Sequence, residues 1–436
     1  MKRRITFVLM CMVAFFATAM AETVVDGETT FKLKASRDGS LYKQGEKIEF
    51  VLEVKKNGEP VKDLNFSSRL SKDGFYPQIS DIGTTDKNGR AIILSKGLNE
   101  PGVVRCNLWT RNPDTKKDVM IAAGAGVDVY SIKMSQDVPA DFKSYWDKQK
   151  RILAKIPMNA KMTPVETDKK NVELFDIKTD TFKGYLTGYY ARPKGAKPKS
   201  CPAIILPHGA GVRSSNIGGV VGFAENGLIA LDYNAHGIPN GKPDEYYKNL
   251  ANTTLKGYLS FGADNRDESF LRVLYLRTLR ALDFLMAQPE WDGKILIASG
   301  TSQGGSQSIV AGALCDKVSL VVAKVPGMCD HTGLKLHRIG GGPQIIRFDK
   351  TGDYNKDMLR ELPYVDVANF AAFVKCKTIL TTGLRDNICP PTTVFAAYSN
   401  LKCEKIIIID EEKNHSVSKA TSEKCTKYMI EHLRAK

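Results

Sequence analysis

The 436-residue sequence lacks the patterns that mark several other classes of protein. It contains no C-x-x-C pair, which argues against a zinc or dithiol redox site, and it has no internal repeat or low-complexity stretch. After the first 21 residues, no apolar stretch approaches the roughly 20 residues that span a bilayer. Acidic residues are the scarcer charge, 48 against 63 Lys and Arg, yet no basic run with interleaved aromatic residues forms a nucleic-acid groove. The sequence therefore predicts no metal site, no nucleic-acid partner and no integral membrane span.

Residues 1–21 are typical of a cleaved signal peptide. Residues 2–4 are basic, residues 5–16 are uncharged and mostly apolar, and residues 19–21 (Ala-Met-Ala) match the small-x-small pattern of a cleavage site. We therefore expect the chain to be exported, to the periplasm or the extracellular space. Eight cysteines follow this segment, an even number that permits disulfide bonds in an exported protein. Their scattered spacing favours a mixture of buried thiols with up to two bridges over a metal site, and it leaves the pairing open.

The sequence pattern of residues 22–131 is typical of a small all-β domain. Residues 47–54 partly alternate polar and apolar side chains, as a half-buried strand does, and Asn57-Gly58 supplies a turn. Further strands are predicted at residues 90–94, 102–109 and 119–129. This spacing indicates a sandwich-like accessory domain. Its role is open between structural support and binding, carbohydrate binding included.

Residues 132–436 alternate strand-like and helix-like segments. Predicted strands lie at residues 203–206, 228–232, 294–298, 377–381 and 405–409, and predicted helices at residues 269–286 and 304–314. Such alternation favours an α/β domain, a mostly parallel sheet with helices on both faces.

The clearest motif is Gly300-Thr301-Ser302-Gln303-Gly304. It follows the predicted strand 294–298 and opens the predicted helix 304–314, which is the context of a nucleophile elbow in an α/β-hydrolase. The flanking glycines allow a sharp turn, and the helix N-terminus favours developing negative charge. We therefore predict Ser302 as the nucleophile.

A serine nucleophile needs a base and an orienting acid, which follow it in that fold in the order Ser, acid, His. Asp386 lies just past the predicted strand 377–381, and His415 follows the predicted strand 405–409 by a short loop. These positions predict Asp386 as the acid and His415 as the base. The weaker candidates are His331, His337 and His432 for the base and Asp410 for the acid. His432 is expected to face solvent.

An oxyanion hole needs backbone N–H groups aimed at the developing charge. One donor is predicted at Gln303, directly after the nucleophile. The other is predicted at Ala210, in a Pro-His-Gly-Ala-Gly loop that follows the strand 203–206 and is similar to the HGGG-type loop. His208 is expected to stabilise this loop through side-chain hydrogen bonds.

From Asp141 onward the chain resembles the acetyl xylan esterase / cephalosporin C deacetylase family of α/β-hydrolases. The resemblance rests on residues 141–146 (DFKSYW), 208–209 (HG), 300–305 (GTSQGG) and 383–391 (GLRDNICPP). The S-Q-G-G and D-x-x-C-P-P patterns are more specific than G-x-S-x-G alone. The resemblance implies that Ser302, Asp386 and His415 form the triad and that Gln303 and Ala210 supply the oxyanion hole.

Three positions depart from the family pattern. Residues 234–238 read Asn-Ala-His-Gly-Ile where the family has Arg-Gly-Gln. Ala210 stands where the family has Tyr, and Ser416 follows the histidine where the family has Glu. These changes leave the triad intact but alter the expected pocket shape and acyl preference. The family's ring-like oligomer does not follow for this longer chain, so the oligomeric state stays open.

These observations predict a secreted serine esterase that removes O-acetyl groups from an acetylated oligo- or polysaccharide through an acetyl-enzyme, with no metal or organic cofactor. The alternative on the same scaffold is a serine peptidase or a broader carboxylesterase, because a fold and a triad do not determine the acyl group. A third hypothesis, a carbohydrate- or surface-binding module without catalysis, is disfavoured by the complete and correctly ordered Ser, Asp and His set.

Overall fold

A computed structural model describes residues 23–349 and 351–435, except for the side chains of residues 76–78. The predicted signal peptide lies outside the described residues. From the N-terminus, two small β-sheets are followed by a nine-stranded sheet with helices on both faces.

Ten short strands build the N-terminal β-domain, counted over the described residues. They are β1 (Thr23–Asp26), β2 (Thr29–Ala35), β3 (Leu41–Tyr42), β4 (Ile48–Lys56), β5 (Glu59–Pro60), β6 (Asn65–Lys72), β7 (Phe75–Thr84), β8 (Arg90–Ser95), β9 (Gly102–Arg111) and β10 (Asp118–Val127). One sheet has the order β1-β2-β4-β5, with β8 also paired to β4, and the other has the order β3-β10-β9-β6-β7.

The two sheets share one hydrophobic core. Phe31 on β2 and Phe50 on β4 are fully buried, and they cluster with Leu108 on β9 and Ile121 on β10 from the second sheet. Side chains alternate between the two faces of a strand, so each sheet can bury one face against the other. The opposite face of the β9 and β10 sheet therefore points away from this core, and part of it covers the second domain.

The second domain contains the remaining strands and the helices of the described chain. The strands are β11 (Lys161–Val165), β12 (Val172–Thr181), β13 (Gly184–Pro193), β14 (Cys201–Ile205), β15 (Ile229–Tyr233), β16 (Trp291–Thr301), β17 (Leu320–Lys324), β18 (Lys377–Gly383) and β19 (Lys405–Asp410). The helices are α1 (Phe142–Ala154), α2 (Ile217–Glu225), α3 (Asp244–Asn252), α4 (Phe270–Met286), α5 (Gln303–Leu314), α6 (Lys356–Glu361), α7 (Val367–Ala371), α8 (Pro391–Asn400) and α9 (Lys419–Arg434).

The large sheet has the order β11-β12-β13-β15-β14-β16-β17-β18-β19. The pairs from β15 to β19 are parallel, whereas β11, β12 and β13 pair antiparallel at one edge. One face packs on α1, α4 and α5, and the other packs on α2 and α9. This is the α/β-hydrolase fold, as the sequence predicts. The carboxyl ends of β16, β18 and β19 meet at one edge of the sheet, where ligands of such sheets bind.

The eight cysteines of the described residues are all free thiols. Burial raises the pKa of the Cys106 thiol to about 12, so this thiol stays protonated and behaves as a small core side chain. No helix within residues 23–349 and 351–435 is long and apolar enough to cross a membrane.

Candidate active site

Ser302 occupies a sharp turn between β16 and α5. Its backbone has φ 59° and ψ −123°, a conformation that is unfavourable for a side chain bearing a Cβ. The Ser302 N–H donates to the carbonyl of Lys324 on the neighbouring strand β17 at 2.9 Å, which helps to hold the turn. The serine side chain is therefore presented at the end of a central strand, at the N-terminus of a buried helix.

The two glycines of the G-x-S-x-G motif have a steric function. A Cβ added at Gly304 would lie 1.9 Å from the carbonyl oxygen of Pro207, and one at Gly300 would lie 2.4 Å from the Gly304 backbone. Neither distance is compatible with a side chain unless the backbone moves. The turn can therefore form only because residues 300 and 304 have no side chain where the strand, the helix and the Pro207 loop come into contact.

We expect Gly304→Ala to destabilise the domain by at least about 3 kcal/mol, the upper part of the range for overpacking, because the contact is with backbone. Scanning calorimetry should show a lower Tm. Gly222→Ala in α2 is the matched control, since nothing lies within 4 Å of an added Cβ there. That control should be neutral or slightly stabilising. An unchanged Tm for Gly304→Ala would contradict the steric account.

The structure brings together the three residues that the sequence predicts as a triad. His415 Nε2 lies 2.8 Å from Ser302 Oγ, and His415 Nδ1 lies 2.8 Å from Asp386 Oδ2. The buried carboxylate also accepts the backbone N–H groups of Ile388 at 2.9 Å and Cys389 at 2.8 Å through Oδ1. Since the carboxylate accepts from Nδ1–H, Nε2 is the imidazole atom that can accept the serine proton.

The weaker sequence candidates lie in other places. His331 is buried in the segment between β17 and α6, and His337 ends a short 3₁₀-helix in that segment. Asp410 accepts the N–H of Ser418 at 2.6 Å and thereby shapes the loop of His415. The expectation that His432 faces solvent is wrong. Its Nε2 lies 2.9 Å from the hydroxyl of Ser319, because α9 packs against the sheet there.

The two predicted oxyanion donors flank Ser302, the predicted nucleophile. Gln303 is the first residue of α5, so its N–H has no partner within the helix. A Cβ added at Gly209 would lie 3.6 Å from the Cβ of Ser302, which places the loop of Ala210 beside the serine.

Hydrogen bonds to the Gly209 carbonyl oxygen hold the orientation of the loop that contains Ala210. That oxygen accepts from His208 Nδ1 at 2.7 Å and from Arg213 Nη2 at 2.7 Å. In a trans peptide the C=O and the next N–H point in opposite directions, so the Ala210 N–H points away from Arg213. Burial, with a contribution from the charge of Arg213, lowers the pKa of His208 to about 4. His208 is therefore neutral and stabilises the loop, as predicted.

Tyr258 joins the two segments that carry the predicted oxyanion donors, a contact that sequence reasoning missed. Its hydroxyl donates to the side-chain oxygen of Gln303 at 3.0 Å and accepts the N–H of Gly211 at 2.9 Å. His236 packs edge-on against the Tyr258 ring at a centroid distance of 4.4 Å. His236 belongs to residues 234–238, which depart from the family pattern, so this segment packs on Tyr258 and helps to hold its ring. Tyr258 is a candidate positioning residue, since it bonds Gln303 and Gly211, the residue after Ala210, and not Ser302.

We expect Tyr258→Phe to lower kcat roughly 10-fold with little change in KM, because a buried amide oxygen and an N–H lose their shared partner. Steady-state kinetics on a chromogenic aryl acetate measure the effect. The matched control is Tyr247→Phe, whose hydroxyl bonds Pro239 and Lys242 on a different loop. Equal kcat values for the two variants would show that Tyr258 does not position the predicted oxyanion donors.

Fold and site together define an α/β-hydrolase, and comparison with known proteins specifies its kind as a carboxylic ester hydrolase. The profile of the acetyl xylan esterase (AXE1) family matches residues 127–432. The chain belongs to this family.

The relatives differ in how much of the chain they match. The acetyl esterase Axe7A of Xylanibacter ruminicola is 29% identical over 429 residues, which cover 96% of this chain and 94% of the relative. The solved acetyl xylan esterase of Paenibacillus sp. R4 is 23% identical with a TM-score of 0.60 over 69% of this chain and 98% of its own. Acetyl xylan esterase 1 of Thermoanaerobacterium sp. JW/SL YS485 is also 23% identical, with a TM-score of 0.61 over 70% of this chain and 97% of its own.

Proposed function

We propose that the protein is a serine esterase that removes O-acetyl groups from acetylated carbohydrate. The observation that carries the proposal is the continuous hydrogen-bond chain from Ser302 Oγ through His415 to the buried Asp386. Family membership supports the ester as the bond that is hydrolysed. The family and the acetyl esterase to which the chain is similar support acetyl as the acyl group and carbohydrate as its carrier.

The first half-reaction acetylates the serine. Ser302 Oγ attacks the acetyl carbonyl carbon, and His415 Nε2 accepts the serine proton. The carbonyl oxygen becomes an oxyanion within reach of the N–H groups of Gln303 and Ala210. When the ester C–O bond breaks, His415 returns the proton to the departing sugar oxygen, and the acetyl group stays on the serine.

The second half-reaction repeats these steps with water. His415 Nε2 accepts a proton from a water molecule, which attacks the acetyl carbon and forms a second oxyanion. The bond to Ser302 Oγ then breaks, the serine regains its proton from His415, and acetate leaves. Asp386 holds the imidazole with Nδ1–H toward the carboxylate and stabilises its charged form in both halves. This cycle uses only groups of the chain, the ester and water.

A substrate panel tests the proposal. Purified protein is assayed on acetylated xylo-oligosaccharides, on aryl esters of acetate, butyrate and octanoate, and on dipeptide amides. We expect release of acetate from the oligosaccharides and a preference for acetate over the longer acyl groups. Faster cleavage of the amides, or equal rates on all acyl lengths, would instead support the serine peptidase or the broader carboxylesterase.

We further propose that the protein is exported after removal of residues 1–21, on the strength of the signal-peptide pattern in its sequence. Expression of the full chain followed by N-terminal sequencing of the protein in the periplasm or medium tests this. A mature N-terminus at Glu22 is expected, whereas retention of an intact chain in the cytoplasm would contradict export.

A further inference from the structure

The N-terminal β-domain packs directly on the loop that bears Asp386. A Cβ added at Gly124 on β10 would lie 2.1 Å from the carbonyl oxygen of Leu384, so the strand reaches this loop only because it has glycine there. The next residue of the loop, Arg385, donates through Nη1 to the carbonyl of Ala122 at 3.0 Å. The two residues that precede the candidate catalytic acid are thus held by one strand of the other domain.

The far end of the same loop is held by buried contacts. Thr392, at the start of α8, donates its hydroxyl to the carboxylate of Asp73, which follows β6 in the N-terminal domain. One turn further along α8, Phe395 is buried in a cluster with Val103 and Val129. The loop between Gly383 and α8 is therefore anchored to the N-terminal domain on both sides of Asp386.

The loop of His415 has a contact of its own with this domain. Ser40 donates its hydroxyl to Glu411 at 2.7 Å, directly after β19. The two loops also pack on each other, since a Cβ at Gly383 would lie 2.2 Å from the carbonyl of Lys413. β18 and β19 are the last two strands at one edge of the large sheet, so the sheet supports these loops from one side only. The N-terminal domain supplies a second support.

Arg105 lies on the face of the N-terminal domain that covers the loop of Asp386. It lies on β9, is buried, and donates through Nε to Asn107 at 3.0 Å. Burial lowers the pKa of its guanidinium, and the carboxylates of Asp73 and Asp386 oppose that effect. Arg105 pairs in register with Gly124 of β10, so its side chain leaves the sheet on the face that covers Leu384, two residues before Asp386. Arginine remains charged in proteins, so this face carries a positive charge beside the loop of Asp386. A buried carboxylate without a compensating positive charge costs free energy, so the fold is stabilised when the side chains of Arg105 and Asp386 both keep their places.

From these contacts we propose that the N-terminal β-domain is a structural part of the active site and that Arg105 is a positioning residue for Asp386. The inference rests on the proposed roles of Ser302, His415 and Asp386. It gives the domain a function that requires no ligand.

Arg105→Met in the full chain tests the proposal, with Arg105→Lys as the conservative variant. The matched control is Arg69→Met, an exposed arginine on β6 opposite Asn107. We expect Arg105→Met to lower kcat on a chromogenic aryl acetate roughly 10- to 100-fold, the size of effect that misplacement by about 1 Å produces, with KM within about twofold. Arg105→Lys should recover most of kcat, and Arg69→Met should match the wild type.

A second pair of variants keeps the test independent of whether Arg105→Met folds. Thr392→Val removes the hydroxyl that bonds Asp73 across the domain interface. Thr110→Val removes a buried hydroxyl that bonds Asn65 within the N-terminal domain. We expect about a fivefold loss of kcat for Thr392→Val, corresponding to one hydrogen bond, and no loss for Thr110→Val. The kcat of each variant should be measured at a temperature well below the lower of the two Tm values, so that partial unfolding does not contribute to the loss.

The rate of Ser302 labelling by a fluorophosphonate separates this inference from the proposed function, because it needs no carbohydrate. Labelling should be slower in Arg105→Met than in Arg69→Met. Wild-type kcat and labelling in both Arg105→Met and Thr392→Val, or a loss confined to oligosaccharide substrates, would overturn the positioning role. If wild-type protein labels normally yet releases no acetate from oligosaccharides, the proposed substrate is wrong and the positioning role stands.

Discussion

Replacing Ser302 with alanine is expected to lower kcat on an aryl acetate on the order of 10⁶-fold, as loss of the nucleophile does in a serine hydrolase. The reason is that the acetyl-enzyme cannot form, and only the oxyanion hole and substrate binding remain. KM should change little, because the hydroxyl contributes to the transition state more than to binding. Stopped or steady-state assays with carefully purified variant protein measure the loss.

Ser308→Ala provides the matched control. Ser308 lies on the same helix α5, and its hydroxyl bonds the carbonyl of Gly304 at 2.9 Å. It should retain most of the activity and a comparable Tm. Activity of Ser302→Ala at more than a few per cent of the wild type would show that the ester is cleaved without a serine nucleophile.

The second large effect is expected from Asp386→Asn, with a loss of kcat on the order of 10⁴-fold. An asparagine amide presents N–H groups to His415, so the imidazole is no longer held with its proton on Nδ1. Nε2 then no longer accepts the proton of Ser302. The pH–rate profile and kcat on the aryl acetate measure this effect.

Asp410→Asn is the informative comparison, because the sequence alone leaves Asp410 as a competing acid. Its carboxylate bonds the N–H of Ser418, and within the described part of the chain it makes no hydrogen bond to His415. We expect a change in kcat below about 10-fold, through the shape of the His415 loop, of the size that one lost hydrogen bond produces. The opposite ranking of the two variants would move the acid to Asp410.

The parts of the site that the sequence predicts are those that depend on local chain geometry. The elbow around Ser302 requires a strand, two glycines and a helix in succession, and all of these are visible in one short stretch. Asp386 and His415 each follow a strand end, and the carboxyl ends of neighbouring parallel strands meet at one edge of the sheet. Their proximity to Ser302 therefore follows from the fold class.

The parts that the sequence does not predict depend on contacts between distant segments. Tyr258 lies in a short 3₁₀-helix between α3 and α4, and nothing in its neighbourhood in the sequence indicates that its hydroxyl reaches Gln303. The position of Arg213 could have been suspected, since a basic residue follows the Gly209 loop closely. Its bonds to two loop carbonyls are nevertheless a product of the folded loop.

The N-terminal domain shows the same limit. Its strands can be predicted because side-chain alternation is local, and β4, β8, β9 and β10 lie within a few residues of the predicted segments. The contact of Gly124 with Leu384 joins residues that are far apart in sequence. Sequence patterns describe which face of a strand is apolar, but they do not say which loop of another domain the other face covers.

Labelling with a fluorophosphonate, followed by mass mapping of the peptides, tests the central claim most directly: Ser302 is a nucleophile activated by His415. The account predicts one phosphonyl group per chain, located on Ser302, with much slower labelling in His415→Ala and loss of esterase activity in proportion to labelling. Labelling of a different serine, or full esterase activity after Ser302 is labelled, would contradict it.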